Sequence, residues 1–270
     1  RPLSPIRKSD VQALVKHLEG SLAPSSVGIA YSYVAAVFSE AVEDRLLAST
    51  PCVGIKTPRA TTTQVTPLTV DQVQGMIQFV DDRLRALVVV AAGTGLRQGE
   101  VCGLTVDRVK FLERRIVVDR QRNPLGGSPL FAPCKTEASN RVVPLPEVVA
   151  DALAQHLAKY PPGDDGLIFS TVMGGPLVRS RVGAMWDAGR RAKVVPAWST
   201  FHDLRHFYAS LLIHHGESVK VVQARLGHST AAETLDTYAH LWPDSEDDTR
   251  RAVDRGLGSI AGQSRGKLAN

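Results

Sequence analysis

Between Thr200 and Tyr238 the chain gathers four polar side chains that a buried helix would not require: His202, Arg205, His228 and Tyr238. His202 and Arg205 are three residues apart, which puts both on one face if the segment is helical, and Thr200 stands where a helix cap would. A guanidinium beside an imidazole suits an anionic oxygen, because arginine presents a planar fork of donors that matches phosphate or carboxylate. The stretch therefore reads as a phosphate clamp. Two further residues stand out upstream: Arg97, after Gly93-Thr94-Gly95, and Lys135, in a polar turn. Singly, each of these six has an ordinary structural explanation. A turn lysine or helix-start arginine is usually solvated, a histidine after Leu226-Gly227 can satisfy a helix end, and a tyrosine among helix formers is normally half-buried core.

Periodicity indicates the elements that must position them. Ser9-Asp10-Val11-Gln12 predicts a capped helix that ends at Gly20, and a cap at Ser25 or Ser26 predicts a longer one through Val42. Ser49-Thr50-Pro51 closes this helical module, and Lys56 to Val65, with Pro58 and three threonines, reads as an exposed linker. Thr69-Val70-Asp71-Gln72 is another capping box, and Leu84 to Ala92 reads as a buried helix stopping at Gly93-Thr94-Gly95. That Gly-x-Gly lacks the third glycine and the preceding strand of a nucleotide loop, so it reads as a tight turn delivering Arg97.

Beyond Leu104 the period changes. Arg115 to Asp119, Phe131 to Lys135 and Arg141 to Leu145 predict short strands of a small antiparallel sheet, with Lys135 to Asn140 turning between the last two. Helical patterning resumes over Pro146 to Leu157 and Arg179 to Lys193, and Asp244 to Asp248 places acids in the first turn of a short terminal helix. The residues from Gly256 onward have the composition of a flexible end. The expected class is mainly α with a small antiparallel sheet, divided into a helical module over 1–58, a linker over 59–66 and a second domain over 67–270.

At 270 residues and 43% hydrophobic content a sizeable core is expected, and the net charge of +5 with a pI near 9.2 leans modestly towards a polyanionic partner. Three widely spaced cysteines, Cys52, Cys102 and Cys134, fit a reducing compartment and neither a disulfide framework nor a zinc ribbon. No apolar run approaches the ~20 residues that cross a bilayer and no signal-peptide core is seen, so a soluble intracellular protein with no membrane partner is expected. The chain opens on Arg1 and not on methionine, which suggests a native start further upstream.

The order and company of the motifs resemble the tyrosine recombinases, the phage integrase family. The resemblance rests on Gly93-Thr94-Gly95-Leu96-Arg97-Gln98-Gly99-Glu100, Lys135 in a turn, His202-Asp203-Leu204-Arg205-His206, Leu226-Gly227-His228, and Tyr238 ten residues later. It implies that residues 67 to about 243 form the catalytic domain and that the N-terminal helices are part of a core-DNA-binding domain. That domain has further helices ahead of Ser9 in the family, and many phage integrases also carry an arm-binding domain, which is not seen here. By motif, Arg97 and Arg205 are the two catalytic arginines, Lys135 the catalytic lysine, His202 and His228 the histidine positions and Tyr238 the nucleophile, with Glu100 and His206 in supporting places. The resemblance further implies double-stranded DNA as partner, a tetramer on DNA, accessory bending or directionality factors, action in a bacterial cytoplasm, and no cofactor or metal.

The chemistry of these residue types agrees. Attack on a phosphodiester builds charge on its non-bridging oxygens, which two fixed guanidiniums can stabilise without a metal. A tyrosine of ordinary pKa is only about one part in a thousand ionised at pH 7, so it needs an acceptor, and His202 is the better candidate, with His228 holding the phosphate or the tyrosine. The arginines are expected to favour the phenolate, and Lys135 to protonate the departing 5′ oxygen. Three competing readings exist: a type IB topoisomerase using the same chemistry, a metallohydrolase with His202 and His206 facing one ion, and a DNA-binding protein without catalysis. The helical N-terminal module and Leu226-Gly227-His228 favour the recombinase over the first, and Arg205 between the two histidines argues against the second.

Overall fold

Proline opens the first long helix. In the computed structural model, which describes residues 6–58, 64–123, 126–134, 136–163, 165–242 and 246–266, α2 (Pro24–Glu43) begins with Pro24 at its first turn, whose fixed φ suits that place. The start therefore precedes the expected cap at Ser25 or Ser26. α1 (Lys8–Glu19) likewise starts earlier than Ser9, because the Asp10 carboxylate reaches back to the Arg7 N–H at 2.8 Å, and Gly20 ends it as expected. Around Val11, Phe38 and Cys52 these helices build a small core, and Gln12 exchanges two hydrogen bonds with the Lys56 backbone at 2.9 and 3.0 Å. Lys56 is thus tied to α1. The rest of the expected linker falls largely on residues 59–63, outside the described residues.

α2 corrects one expectation directly: at 20 residues and mean hydropathy 1.2 it is long and apolar enough to cross a membrane by length and composition. Its apolar residues are split between buried Val27, Phe38 and Ala41 and exposed Ile29, Tyr33 and Val37. The chain divides into two compact units, residues 1–63 and 64–270.

The second unit is organised on α4 (Asp82–Thr94), whose Leu87, Val88, Val90 and Ala91 are almost wholly buried. α3 (Val70–Phe79) leads into it through the Thr69/Gln72 capping box, with reciprocal bonds of 2.9 and 3.2 Å. At the far end Gly95 takes φ +64°, and a Cβ there would lie 2.4 Å from the Tyr208 ring, so only glycine makes this turn. The chain then enters α5 (Gln98–Cys102) with Arg97 as its cap residue.

Next come β1 (Val109–Lys110), β2 (Arg115–Val118), β3 (Arg120–Arg122), β4 (Phe131–Pro133) and β5 (Arg141–Pro144). They form two antiparallel sheets, β1-β2-β5 and β3-β4, where a single sheet was expected. Asp119, held by Arg108 at 2.9 Å, separates β2 from β3, and β4 pairs back onto β3. The segment before β5 is therefore no β4-β5 hairpin turn. It is a 3-10 turn, Glu137–Ser139.

α6 (Glu147–Lys159) packs on α4 through Val149 and Leu153, and α7 (Arg179–Arg191) buries Val182 and Trp186. α8 (Asp203–His214) also packs on α4 and is followed by α9 (Val219–Leu226) and α10 (Ala231–Tyr238). α8 begins at Asp203 and not at Thr200. The Asp203 carboxylate accepts from the Thr200 N–H and hydroxyl at 2.7 and 2.9 Å, which reverses the expected cap and leaves His202 at the helix threshold. α11 (Glu246–Gly266) is not short, and it runs through Gly256, where a flexible end was expected. Arg250 pairs with Glu246 and Asp247 in its first turns, and Arg251, Ala252 and Leu257 are residues that sustain a helix.

Candidate active site

Three guanidiniums hold three consecutive carbonyls. At the C-terminus of α9, Arg141 Nε donates to Arg225 O at 2.8 Å, Arg205 Nη2 to Leu226 O at 2.5 Å and Arg97 Nη2 to Gly227 O at 3.2 Å. These carbonyls have no partner within the helix and form the negative end of its dipole, so cations belong there. Gly227 takes φ +65°, and a Cβ would stand 3.0 Å from Ala138 O, so glycine lets the 3-10 turn lie against the end of α9. His228 follows at once.

Arg205 reaches across to Gly95 O at 2.8 Å and is 3% exposed. Burial, with Arg97 and Arg141 adding to it, lowers its pKa to about 9, so it remains a cation at neutral pH. Arg97 keeps 26% of its side chain exposed. It donates to Ser139 Oγ and Glu100 Oε1, both at 3.1 Å. Glu100, almost fully buried, accepts from the Arg97 N–H and from both Arg141 terminal nitrogens. Burial alone would raise its pKa, but Arg141 and Arg97 outweigh that and the group stays an anion.

Tyr238, at the end of α10, is 1% exposed. Its hydroxyl lies 2.7 Å from Nδ1 of His206, and its ring stacks on His228 at 6.4 Å with planes 7° apart. Arg205 favours the phenolate, as expected of the arginines, but burial outweighs it and pushes the phenol up to about 12. His206, given a supporting place from sequence, is the histidine that the hydroxyl touches. His202, expected as the acceptor, meets His206 edge to face at 5.0 Å and faces a cavity of about 570 Å³ shared with Arg97, Gln98, Arg122 and Arg179.

All three imidazoles are held neutral. His202, although it stays exposed, is lowered by desolvation and by His206 and Arg205; desolvation and the three arginines take His228 to about 3; burial also lowers His206. His228 Nδ1 bonds the Thr234 hydroxyl at 2.9 Å, and Nε2 lies 3.8 Å from Glu233. Lys135 lies outside the described residues. Among the described residues, no group of three or more His, Cys, Asp or Glu is placed to hold a metal ion, and His206 Nδ1 is committed to Tyr238.

Sequence reasoning missed Arg141, Ser139 and Thr234. Arg141 opens a strand, and its inward turn onto Glu100 is invisible without knowing how that strand pairs.

The second unit is mainly helical with small antiparallel sheets, and it gathers three arginines, three histidines and a buried tyrosine. The chain belongs to the phage integrase family, whose model matches residues 67–244. It is 28% identical over 241 residues to the XerC-like tyrosine recombinase of Caldanaerobacter subterraneus subsp. tengcongensis, covering 78% of this chain and 61% of the relative. The chain spans about three fifths of the length of the curated relatives it matches. By structure it is similar to the Tn1549 transposon integrase in complex with a circular intermediate DNA, with TM-score 0.76, 24% identity and coverage of 95% and 87% of the two chains. It is also similar to a lambda integrase tetramer bound to a Holliday junction, with TM-score 0.68, 18% identity and coverage of 86% and 67%. At these identities the structural likeness establishes the fold.

Proposed function

We propose that this chain is a site-specific recombinase that cuts and rejoins DNA through a covalent 3′-phosphotyrosine on Tyr238, without metal or ATP. The observation that carries this reading is the Tyr238 hydroxyl 2.7 Å from His206, stacked on a histidine that directly follows the carbonyls held by Arg97 and Arg205. Tyr238 Oη attacks the scissile phosphorus, the bond to the 5′ oxygen breaks, and the phenolic proton passes to Nδ1 of His206. Arg97 and Arg205 neutralise the non-bridging oxygens, which is where charge builds. His228 donates to the phosphate from Nε2, with Thr234 fixing its ring. His202, on the cavity side with Arg97, is a second donor, and Lys135 gives the 5′ oxygen its proton. The phosphotyrosine retains the bond energy, so a second 5′ hydroxyl reverses the step.

The partner on this reading is double-stranded DNA, with residues 1–58 as part of a core-DNA-binding module, 59–66 as linker and 67–270 as the catalytic domain. A tetramer on DNA is inferred from the likeness to the lambda integrase tetramer, and action in the bacterial cytoplasm from the need to meet the chromosome. Accessory bending or directionality factors complete this reading.

The test is covalent trapping. Wild-type protein is incubated with a pool of nicked duplexes carrying randomised flanks, in excess EDTA, and adducts are resolved on a denaturing gel. An adduct from the wild type and none from Tyr238→Phe is expected. An undiminished adduct from the Phe variant removes Tyr238 as nucleophile, and loss in EDTA restored by a divalent ion revives a metal role for His202 and His206.

A further inference from the structure

The third arginine of the cluster has no place in the chemistry above. Arg141 is 5% exposed and Glu100 3%, so neither can meet a bound DNA strand. Arg141 nevertheless joins three separate pieces of chain. Its terminal nitrogens fork onto both oxygens of Glu100 at 2.8 and 3.1 Å, one of them also bonds Ser139 O at 2.9 Å, and Nε bonds Arg225 O at 2.8 Å.

Glu100 is the anion nearest to Arg97, with one bond from its guanidinium and one from its backbone. A carboxylate and a guanidinium left to themselves pair through two parallel bonds, and an arginine so paired is neutralised and turned away from other anions. Here the fork belongs to Arg141, and Arg97 touches Glu100 through a single terminal nitrogen. Ser139 and Gly227 O then hold Arg97 on the side of α9, in line with Arg205 on the preceding carbonyl.

We infer that Arg141 is a positioning residue for the phosphate clamp: by occupying both oxygens of Glu100 and anchoring the end of α9, it keeps Arg97 directed at the scissile phosphate. This rests on the reading of Arg97 as part of that clamp. Arg141 acts only through Glu100, Ser139 and the α9 carbonyl, and never on the substrate. Lysine cannot replace it, since a point charge on a flexible stem cannot fork onto a carboxylate and also reach Arg225 O.

The experiment compares two versions of the nicked duplex selected by the trapping assay: one with an ordinary scissile phosphodiester, one with a methylphosphonate there. The methylphosphonate lacks a non-bridging negative charge and has little use for the clamp. Arg97→Ala should lose adduct formation on the phosphodiester and recover on the methylphosphonate. If it does not recover, the clamp reading itself fails, whatever Arg141 does. Arg141→Lys should be slowed about 100-fold on the phosphodiester, the cost of a misplaced reacting group, and should run close to the wild-type rate on the methylphosphonate. Equal slowing on both substrates, or none on the phosphodiester, overturns the inference while leaving Arg97 in place. Should Arg141→Lys not fold by circular dichroism, the pair Arg141→Gln with Glu100→Gln buries no lone charge. That pair still loses the anchor on α9, so it should be slowed on the phosphodiester and run close to the wild-type rate on the methylphosphonate, and equal slowing on both substrates overturns the inference.

Discussion

The two halves of the site are built on opposite terms. In the cationic half, Arg97, Arg141 and Arg205 each have carbonyl, hydroxyl or carboxylate partners, and Glu100 offsets one of their charges. In the half around Tyr238, among the described residues, one hydrogen bond to His206 holds the Tyr238 hydroxyl, and the pKa shifts of the phenol and the three imidazoles all favour the uncharged forms. The cationic half is therefore organised in the free protein, and on the proposed reading the tyrosine becomes reactive when a phosphate anion joins that half. A phosphate beside His228 and His202 raises their pKa values, since it opposes the arginine charge that lowers them.

Removing the nucleophile should separate the halves most completely. Tyr238→Phe is expected to form no covalent adduct while binding DNA as the wild type does in a gel-shift assay, because the cationic half supplies the affinity. Weakened binding would join the halves again. The next effect is on the cations: Arg205→Ala should reduce adduct formation by about 100- to 1,000-fold, as for loss of a fixed donor to a developing anion. A 5′-bridging phosphorothiolate, whose sulfur leaves without a proton, should not restore it. Lys135→Ala should be restored by that substrate, and the same defect on both substrates would deny Lys135 the role of acid.

A sharper division concerns the histidines. His206→Phe should slow adduct formation by about 100-fold, the usual contribution of a placed proton acceptor. His206→Asn should bind DNA normally, keep Tyr238 placed through its amide oxygen, and lose the imidazole's limb from the pH-rate profile. If His202→Ala abolishes that limb instead, the proton goes to His202 as its motif position suggests.

The smallest effect is on stability. His228 titrates near 3 when folded and near 6.5 when unfolded, so below pH 6.5 the unfolded chain takes up a proton that the folded one refuses. The stabilisation is complete above pH 6.5 and falls as pH drops towards 3. A melting temperature that declines between pH 7 and 5, and declines less in His228→Asn, is expected. Thr234→Val, which strips His228 Nδ1 of its buried partner, should cost about 1–3 kcal/mol at neutral pH.

Much of this was legible in the residues. The capping box at Thr69 and the turn at Gly95 that leads to Arg97 depend on local spacing, which sequence records. Strand pairing depends on partners far along the chain, so the split into two sheets, and with it the inward turn of Arg141, was not readable. His206 was visible four residues after His202, but which histidine the hydroxyl meets is set by where α10 docks on α8. The phenol's pKa was misjudged because charge is legible in a sequence and burial is not.

That burial bears on fidelity. A DNA-handling protein passes a vast excess of non-cognate phosphates for each site it should cut. With Tyr238 only 1% exposed and its phenol pushed up to about 12, on the order of one molecule in 100,000 carries a phenolate at pH 7. If Tyr238 is the nucleophile, as proposed, chance encounters meet an unarmed protein, and the packing that hides the phenol is also what restrains it from nicking.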